Sequence, residues 1–181
     1  MMMKIISTKI KGVHKLNSVP FSDKRGTFKN IFRSEDLPLE DIWDGSNINQ
    51  VNISETDLVG TIRGLHLQKK PDSEYKLIRC IAGEVWDVAV DLRRNSETYC
   101  QWIGFILNDN INDAVIIPPG CAHGFQVLQP KSKLLYIHSG HWKKNSEIGY
   151  RWNDPKLKIN WPLRITEISS RDQNLPYIDC D

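Results

Sequence analysis

Short segments in which apolar and polar residues alternate recur along the chain, and a period of two is typical of strands. The clearest pair is Lys76–Ile81 and Val85–Leu92, which a tight turn at Ala82-Gly83 would join as a hairpin. The same pattern predicts further strands at Gln50–Ser54, Gly60–Gln68, Gln101–Leu107, Ala114–Ile117, Gly124–Val127 and Leu134–Ser139. Many short strands separated by turn signals indicate an all-β sandwich or barrel.

Little of the chain has a helical pattern. One segment, Ser34–Asp44, is expected to be helical, with Ser34 as its N-terminal cap and Pro38 limiting its length. The tail that follows Trp152 is rich in turn signals, and we expect it to pack as irregular chain over the body.

The strand Val85–Leu92 would place two carboxylates on one face. Period-two spacing groups Asp87 and Asp91 with Val85 and Ala89, whereas the opposite face carries only apolar side chains. Carboxylates among small residues suggest the mouth of a cavity, but the solvent-facing side of an antiparallel sheet has the same pattern. The sequence leaves both interpretations open.

Composition excludes several classes of protein. The 181 residues are 40% hydrophobic and 25% charged, which is typical of a folded domain and not of a disordered chain. The 24 Lys and Arg residues are scattered among 22 Asp and Glu residues, so we expect no electrostatic binding of nucleic acid or of a membrane surface. No apolar run reaches the length of a membrane span or of a signal peptide. We therefore expect a single cytoplasmic domain over residues 1–181, in which two of the four cysteines are buried free thiols.

Two histidines stand in glycine-containing motifs that predicted strands flank, His66 in RGLHLQ and His123 in PPGCAHGF. The glycines permit a close approach of the backbone to a ligand. If one barrel held both histidines they would suggest a metal site, but such a site needs further ligands, and Gln68 stands where another histidine would be expected. We therefore expect no metal. A buried histidine paired with a carboxylate would instead be a candidate base for proton transfer.

An ordered set of motifs covers almost the whole chain, from about Gly12 to Pro176. The motifs are DKRGTF (23–28), QVNIS (50–54), GTIRGLHLQ (60–68), KLIRC (76–80), GEVWDVAVDLR (83–93), the His123 motif, WNDP (152–155) and WP (161–162). Together they resemble the dTDP-4-dehydrorhamnose 3,5-epimerase family. The resemblance implies an all-β, cupin-type jelly-roll barrel with short peripheral helices. It also implies no metal or other cofactor, and a homodimer with strands exchanged between subunits.

The resemblance also implies roles for individual residues. His66 matches the general base, Asp172 the carboxylate that orients it, Lys76 the cation beside the keto oxygen of the substrate, and Tyr136 the acid on the opposite face of the sugar. The implied substrate-binding residues are Arg25, Phe28, Gln50, Asn52, Arg63, Glu74, His123 and His141, with the diphosphate held by Arg25, Arg63 and His123. This set suits the inversion of a carbon beside a ketone, which requires a base, a charge that stabilises the enolate, and an acid on the other face.

Several positions depart from the pattern of that family. Asn30 replaces a glutamate, Glu74-Tyr75 replaces Gln-Gly before the lysine, and His141-Trp142 replaces an aromatic pair that usually contains tyrosine. These changes concern the nucleotide and the C5 substituent of the sugar, because the proton-transfer residues are intact. An acidic Glu74 would suit the N–H edge of guanine. We therefore favour a GDP-linked 4-keto-6-deoxy-heptose of bacterial surface-polysaccharide synthesis, ahead of a dTDP-linked hexose.

Three other functions are alternatives. A nucleotide-sugar 3,4-ketoisomerase would share the fold, but the intact set of Lys76, Tyr136 and Asp172 argues against it. A non-catalytic protein that binds sugar nucleotides would be expected to lack a base or an acid, and neither is missing. A metal-dependent cupin oxygenase would be distinguished by metal in the purified protein.

Overall fold

The computed structural model describes residues 4–33, 43 and 47–179. These residues form 13 strands and one helix of four residues, which confirms the all-β prediction. The elements are β1 (Lys4–Ser7), β2 (His14–Asn17), β3 (Phe21–Asp23), β4 (Gly26–Phe28), β5 (Gln50–Thr56), β6 (Ile62–Gln68), β7 (Lys76–Ala82), β8 (Glu84–Asp91), β9 (Trp102–Asn108), β10 (Asp113–Ile117), β11 (Cys121–Val127), β12 (Ser132–His138), β13 (Glu147–Gly149) and α1 (Ser170–Gln173).

Most strands belong to two antiparallel sheets that pack against each other. The first sheet has the order β1-β2-β10-β7-β12-β5, the second has the order β13-β6-β11-β8-β9, and β3 and β4 form a separate hairpin. Ile78 and Leu134 of the first sheet share a hydrophobic cluster with Val85 and Phe125 of the second. Burial of these side chains holds the sheets together as the expected jelly-roll barrel.

Each strand that the alternating pattern predicts is present, with ends that shift by at most three residues. The strands β1 to β4 and β13 have no counterpart in the prediction, because each is only three or four residues long. The helix expected over Ser34–Asp44 lies outside the described residues, apart from Trp43. The tail after Trp152 is irregular except for α1, as expected.

Both faces of β8 are buried, which decides between the two interpretations of its carboxylates. Asp87 and Asp91 are 0% exposed, and the neighbours on their face belong to the core between the sheets. Val88 and Val90 on the other face pack against Leu157 of the C-terminal tail. The interpretation of a solvent-facing side is therefore wrong, and Asp87 points into the barrel.

Two further expectations concern cysteines and membranes. Cys80 and Cys121 are buried free thiols, and burial raises the pKa of each to about 12. Within residues 4–33, 43 and 47–179, no helix combines the length and the hydropathy of a membrane span.

Candidate active site

A cavity of about 540 Å³ lies between the two sheets. Its size is within the range of sites that bind small molecules. Strands β6 and β11 supply one wall, and β5, β7 and β12 supply the other. Eight of the predicted site residues line the cavity: Asn52, Arg63, His66, Glu74, Lys76, His123, Tyr136 and Asp172.

The His66–Asp172 pair is formed by β6 and α1. Nε2 of His66 lies 2.7 Å from Oδ1 of Asp172, and Oδ2 accepts a hydrogen bond of 3.0 Å from the Gly64 N–H. Burial raises the pKa of Asp172, but the hydrogen bond and charge of His66 and the N–H of Gly64 outweigh it, so this pKa is below its ordinary value. The carboxylate therefore stays ionised. When His66 donates its Nε2–H to Asp172, Nδ1 carries the free lone pair of a base.

A second buried histidine stands beside the first. His66 and His123 are direct partners across β6 and β11, so both side chains are on the same face of the sheet. Nε2 of His123 lies 2.6 Å from Oδ2 of Asp87. Asp87, on the neighbouring strand β8, thus fixes the orientation of the His123 ring. Among the described residues, no group of three or more histidine, cysteine or carboxylate side chains is placed to hold a metal ion.

Tyr136 faces these histidines from the other sheet. Its ring meets the ring of His123 edge-on, with 5.7 Å between the centroids. Burial, and then the charge of Asp87, raise the pKa of Tyr136 above its ordinary value, while Arg63 acts in the opposite direction. The hydroxyl therefore keeps its proton at neutral pH and is available as an acid.

Lys76 begins β7 on the same wall as Tyr136. Its Nζ lies 3.7 Å from Oε1 of Glu74. Burial is the largest effect and leaves the pKa of Lys76 below its ordinary value, although the charges of Glu74 and Glu147 act in the opposite direction. An ammonium group beside a cavity of this kind would stabilise an oxyanion that develops inside it.

Four predicted substrate-binding residues do not line the cavity of this chain. Arg25 and Phe28 lie on the β3–β4 hairpin, where the Arg25 side chain is 86% exposed and Phe28 is 74% exposed. Gln50 lies beside the cavity and accepts a hydrogen bond of 2.8 Å from the N–H of Trp142. His141 is exposed.

Sequence reasoning missed other residues that line the cavity. His138 stands two positions after Tyr136 on β12, so the period of two would have placed it on the same face. Glu147 and Arg171 also line the cavity and form an ion pair of 2.6 Å. They belong to β13 and α1, which are too short to give a sequence signal.

Gly64 sets the spacing of β6 and β11 at the site. Its φ is +117°, and a Cβ there would lie 2.6 Å from Cα of Gly124 and 2.7 Å from the carbonyl oxygen of His123. We expect Gly64→Ala to lower the free energy of unfolding by about 3 kcal/mol or more, because backbone strain and overpacking each cost about 1–3 kcal/mol. Denaturant unfolding of the purified variant measures this loss.

Gly26→Ala is the matched control. Gly26 has a φ of +135°, but a Cβ there would have nothing within 4 Å. This variant should therefore show only the loss from backbone strain. Equal losses in Gly64→Ala and Gly26→Ala would contradict the close approach as the cause.

Comparisons with known proteins identify the family of this chain. The model of the family described as dTDP-4-dehydrorhamnose 3,5-epimerase matches residues 7–179. The protein of that name from Shigella flexneri is 35% identical over 180 residues, which are 99% of this chain and 98% of that protein. The protein of that name from Bacillus anthracis, crystallised with TDP and PPi bound, is 34% identical with a TM-score of 0.89, covering 97% of this chain and 99% of that one.

A third relative is the dTDP-6-deoxy-D-glucose-3,5-epimerase of Legionella pneumophila, whose crystal structure is a complex with dTDP-4-keto-L-rhamnose. It is 32% identical with a TM-score of 0.86, and the alignment covers 98% of this chain and all of that one. Family model, sequence identity and fold therefore agree over almost the full length. The chain belongs to the dTDP-4-dehydrorhamnose 3,5-epimerase family of isomerases.

Proposed function

We propose that the protein inverts C3, C5 or both of a nucleotide-diphospho-4-keto-6-deoxy sugar, through an enolate and without a cofactor. The observation that carries this proposal is the distribution of four groups around one cavity. The His66–Asp172 pair is on one wall, and Tyr136 and Lys76 are on the other. A sugar ring between the walls would have a base on one face and an acid on the other.

The first step is removal of the proton from the carbon beside the ketone. Nδ1 of His66 takes this proton, and Asp172 stabilises the imidazolium that forms. The electrons of the C–H bond move into the C–C bond, and those of the carbonyl move onto its oxygen. The Lys76 ammonium, whose side chain is only 13% exposed, stabilises that enolate oxygen.

The second step returns a proton to the same carbon from the opposite face. The hydroxyl of Tyr136 donates it, and the carbonyl forms again with inverted configuration. Solvent then gives a proton to Tyr136 and takes one from His66. Deuterium from D₂O would therefore enter the substrate at each carbon that is deprotonated.

The relatives favour a thymidine nucleotide over a guanosine nucleotide. TDP and dTDP-4-keto-L-rhamnose are the ligands named for the solved structures of Bacillus anthracis and Legionella pneumophila. The preference for a GDP-linked heptose has no support from them, so we propose a dTDP-linked 4-keto-6-deoxy hexose as the substrate. Arg63 lines the cavity, and its planar fork of donors suits the diphosphate. This substrate class and the free thiols support a cytoplasmic location.

Deuterium uptake tests the reaction and the nucleotide together. The protein is incubated in D₂O with dTDP-linked and, separately, GDP-linked 4-keto-6-deoxy sugars, and mass spectrometry counts the deuterium atoms gained. We expect uptake of one or two deuterium atoms by the dTDP sugar. Nucleotide binding without any uptake would contradict the proposal and favour the binding protein, and a product with its carbonyl at C3, detected by NMR, would favour the ketoisomerase.

We also propose that the protein is a homodimer in which each β3–β4 hairpin enters the site of the partner. The hairpin exposes Phe21 and Phe28, and it forms a sheet of its own. Val51 and Ile53 are likewise exposed on β5, one of the two edge strands of the first sheet. A partner would cover this apolar surface and would bring Arg25 to the diphosphate.

Mixing two inactive variants tests the exchange of hairpins. An Arg25→Ala subunit keeps its own His66, and a His66→Asn subunit keeps its own Arg25, so a mixed dimer holds one complete site. Random mixing should restore about a quarter of the wild-type rate, since half of the dimers are mixed and half of their sites are complete. Arg25→Ala mixed with the double variant is the control without restoration. Failure of the first mixture to regain activity would contradict the exchange.

A further inference from the structure

Glu74, Lys76 and His138 form a buried cluster. The proposed proton-transfer steps use Lys76 but give no role to Glu74 or His138. Lys76 and His138 are direct partners across β7 and β12, so their side chains are on the same face of the first sheet. Glu74 stands two residues before Lys76, just outside β7, and its carboxylate lies within 4 Å of both side chains. Hydrogen bonds between Tyr75 and Ser139 fix the segment that carries Glu74 to the end of β12.

The Glu74 carboxylate lies between two basic groups. Its Oε1 is 3.7 Å from Nζ of Lys76, and its Oε2 is 3.3 Å from Nδ1 of His138. The exposed fraction of the Glu74 side chain is only 4%. Oε2 has no hydrogen-bond partner among the described residues. The basic side chains within 4 Å of this carboxylate are therefore those of Lys76 and His138.

Other groups near Lys76 are coupled to it less directly than Glu74 is. Glu147 approaches from β13 and also raises the pKa of Lys76, but less than Glu74 does, and its carboxylate is paired with Arg171 at 2.6 Å. His66 lines the far side of the cavity and is paired with Asp172. On β10, the residue opposite Lys76 is the apolar Ile117. Tyr136 on β12 is neutral at the pH at which the protein works.

We propose that Glu74 is a positioning residue that keeps the Lys76 ammonium charged and directed at the keto oxygen, while His138 lies beside the second carboxylate oxygen. The inference rests on the proposed function for the role of Lys76 in stabilising the enolate. Glu74-Tyr75 stands where the family has Gln-Gly before the lysine. In this proposal the Glu74 carboxylate acts on Lys76 and does not contact the nucleotide base. Without Glu74, burial would favour the neutral amine, and a neutral amine stabilises an oxyanion far less.

Titration of Lys76 by NMR tests this without any need for activity. The protein is labelled with [¹³C]lysine, and loss of one signal in Lys76→Arg assigns the Lys76 side chain. In Glu74→Gln we expect that signal to titrate about 1–3 pH units below its position in the wild type. Glu74→Asp, which keeps the charge, should titrate nearer to the wild type. Glu97→Gln, at an exposed carboxylate far from the cavity, is the matched control.

The His138→Asn variant is a second test. The proposal predicts that the pH at which Lys76 titrates stays the same or rises in His138→Asn, whereas it falls in Glu74→Gln. Loss of this second partner leaves the full charge of Glu74 to Lys76, so the Lys76 signal should titrate at the same pH or higher. A cluster that only stabilises the fold would shift Lys76 in the same direction in both variants. That result, or an unchanged titration in Glu74→Gln, would overturn the proposal.

The pH dependence of deuterium uptake separates this inference from the proposed function. In Glu74→Gln, the loss of activity at high pH should begin about 1–3 pH units lower than in the wild type, and activity should recover as the pH falls. A uniform loss at every pH would overturn the role of Glu74. A wild type that takes up no deuterium, with the Lys76 titration still shifted by Glu74→Gln, would contradict the proposed reaction and leave the coupling of Glu74 to Lys76 established.

Discussion

Replacing His66 by asparagine is expected to slow deuterium uptake from D₂O by roughly 10²–10⁴-fold, the usual contribution of a positioned base. The asparagine amide fits within the space of the imidazole and can still donate a hydrogen bond to Asp172. It has no basic nitrogen, so the group that we expect to accept the proton beside the ketone is lost. Mass spectrometry of the recovered substrate measures the rate of uptake.

Two controls make this result specific to proton removal. Binding of the nucleotide should be unchanged in His66→Asn, because Arg63 and not His66 is expected to hold the diphosphate. Asp172→Asn should also be slow, and the double variant should be no slower than His66→Asn alone, since a base and the carboxylate that orients it act as a unit. Uptake at the wild-type rate in His66→Asn would remove His66 from the role of base.

The His66–Asp172 pair also shows where prediction from the sequence ends. The partners are separated by 106 positions, and Asp172 stands in a polar tail that has no period of its own. A parallel bridge between Ile62 and Ile168 brings the tail back to the start of β6, and the cap at Ser169 then fixes the orientation of α1. No local pattern encodes this return. Only the resemblance to a family pointed to Asp172 before the fold was known.

The strands were easier to predict than their environment. Alternation in Val85–Leu92 separated the face of Asp87 from the apolar face, and β8 has these two faces. The period of two is the same whether a polar face meets water or the inside of a barrel. Burial of Asp87 depends on the first sheet, which packs over this face of β8, and on the hydrogen bond from His123. Such contacts between distant segments are beyond any pattern in one segment.

The hairpin residues illustrate a different limit. Arg25 belongs to a motif that the resemblance connects to the diphosphate, yet its side chain is 86% exposed in the single chain. Arg25 does not line the cavity of its own subunit, and the proposed exchange of hairpins would bring it to the cavity of the partner. A sequence motif can suggest that a residue binds substrate, but it does not indicate which subunit would supply that residue.

Replacing Tyr136 by phenylalanine is expected to separate two events that His66→Asn stops together. His66 can still remove the proton and return a deuteron from the same face, so deuterium uptake should continue. Inversion needs a donor on the other face and should fall by roughly 10²–10⁴-fold. Phenylalanine keeps the ring that packs against His123 and His138, so the walls of the cavity should stay in place.

One reaction mixture in D₂O reports both events, because mass spectrometry counts the deuterium and NMR distinguishes the configuration of the sugar. Tyr177→Phe is the matched control, since Tyr177 is 44% exposed and contacts Arg151 outside the cavity. It should leave uptake and inversion unchanged. Equal loss of both in Tyr136→Phe would mean that Tyr136 is needed for proton removal itself, and the acid on the opposite face would then have to be another group. Uptake without inversion would show that two separate groups, one on each wall of the cavity, donate protons to the two faces of the enolate.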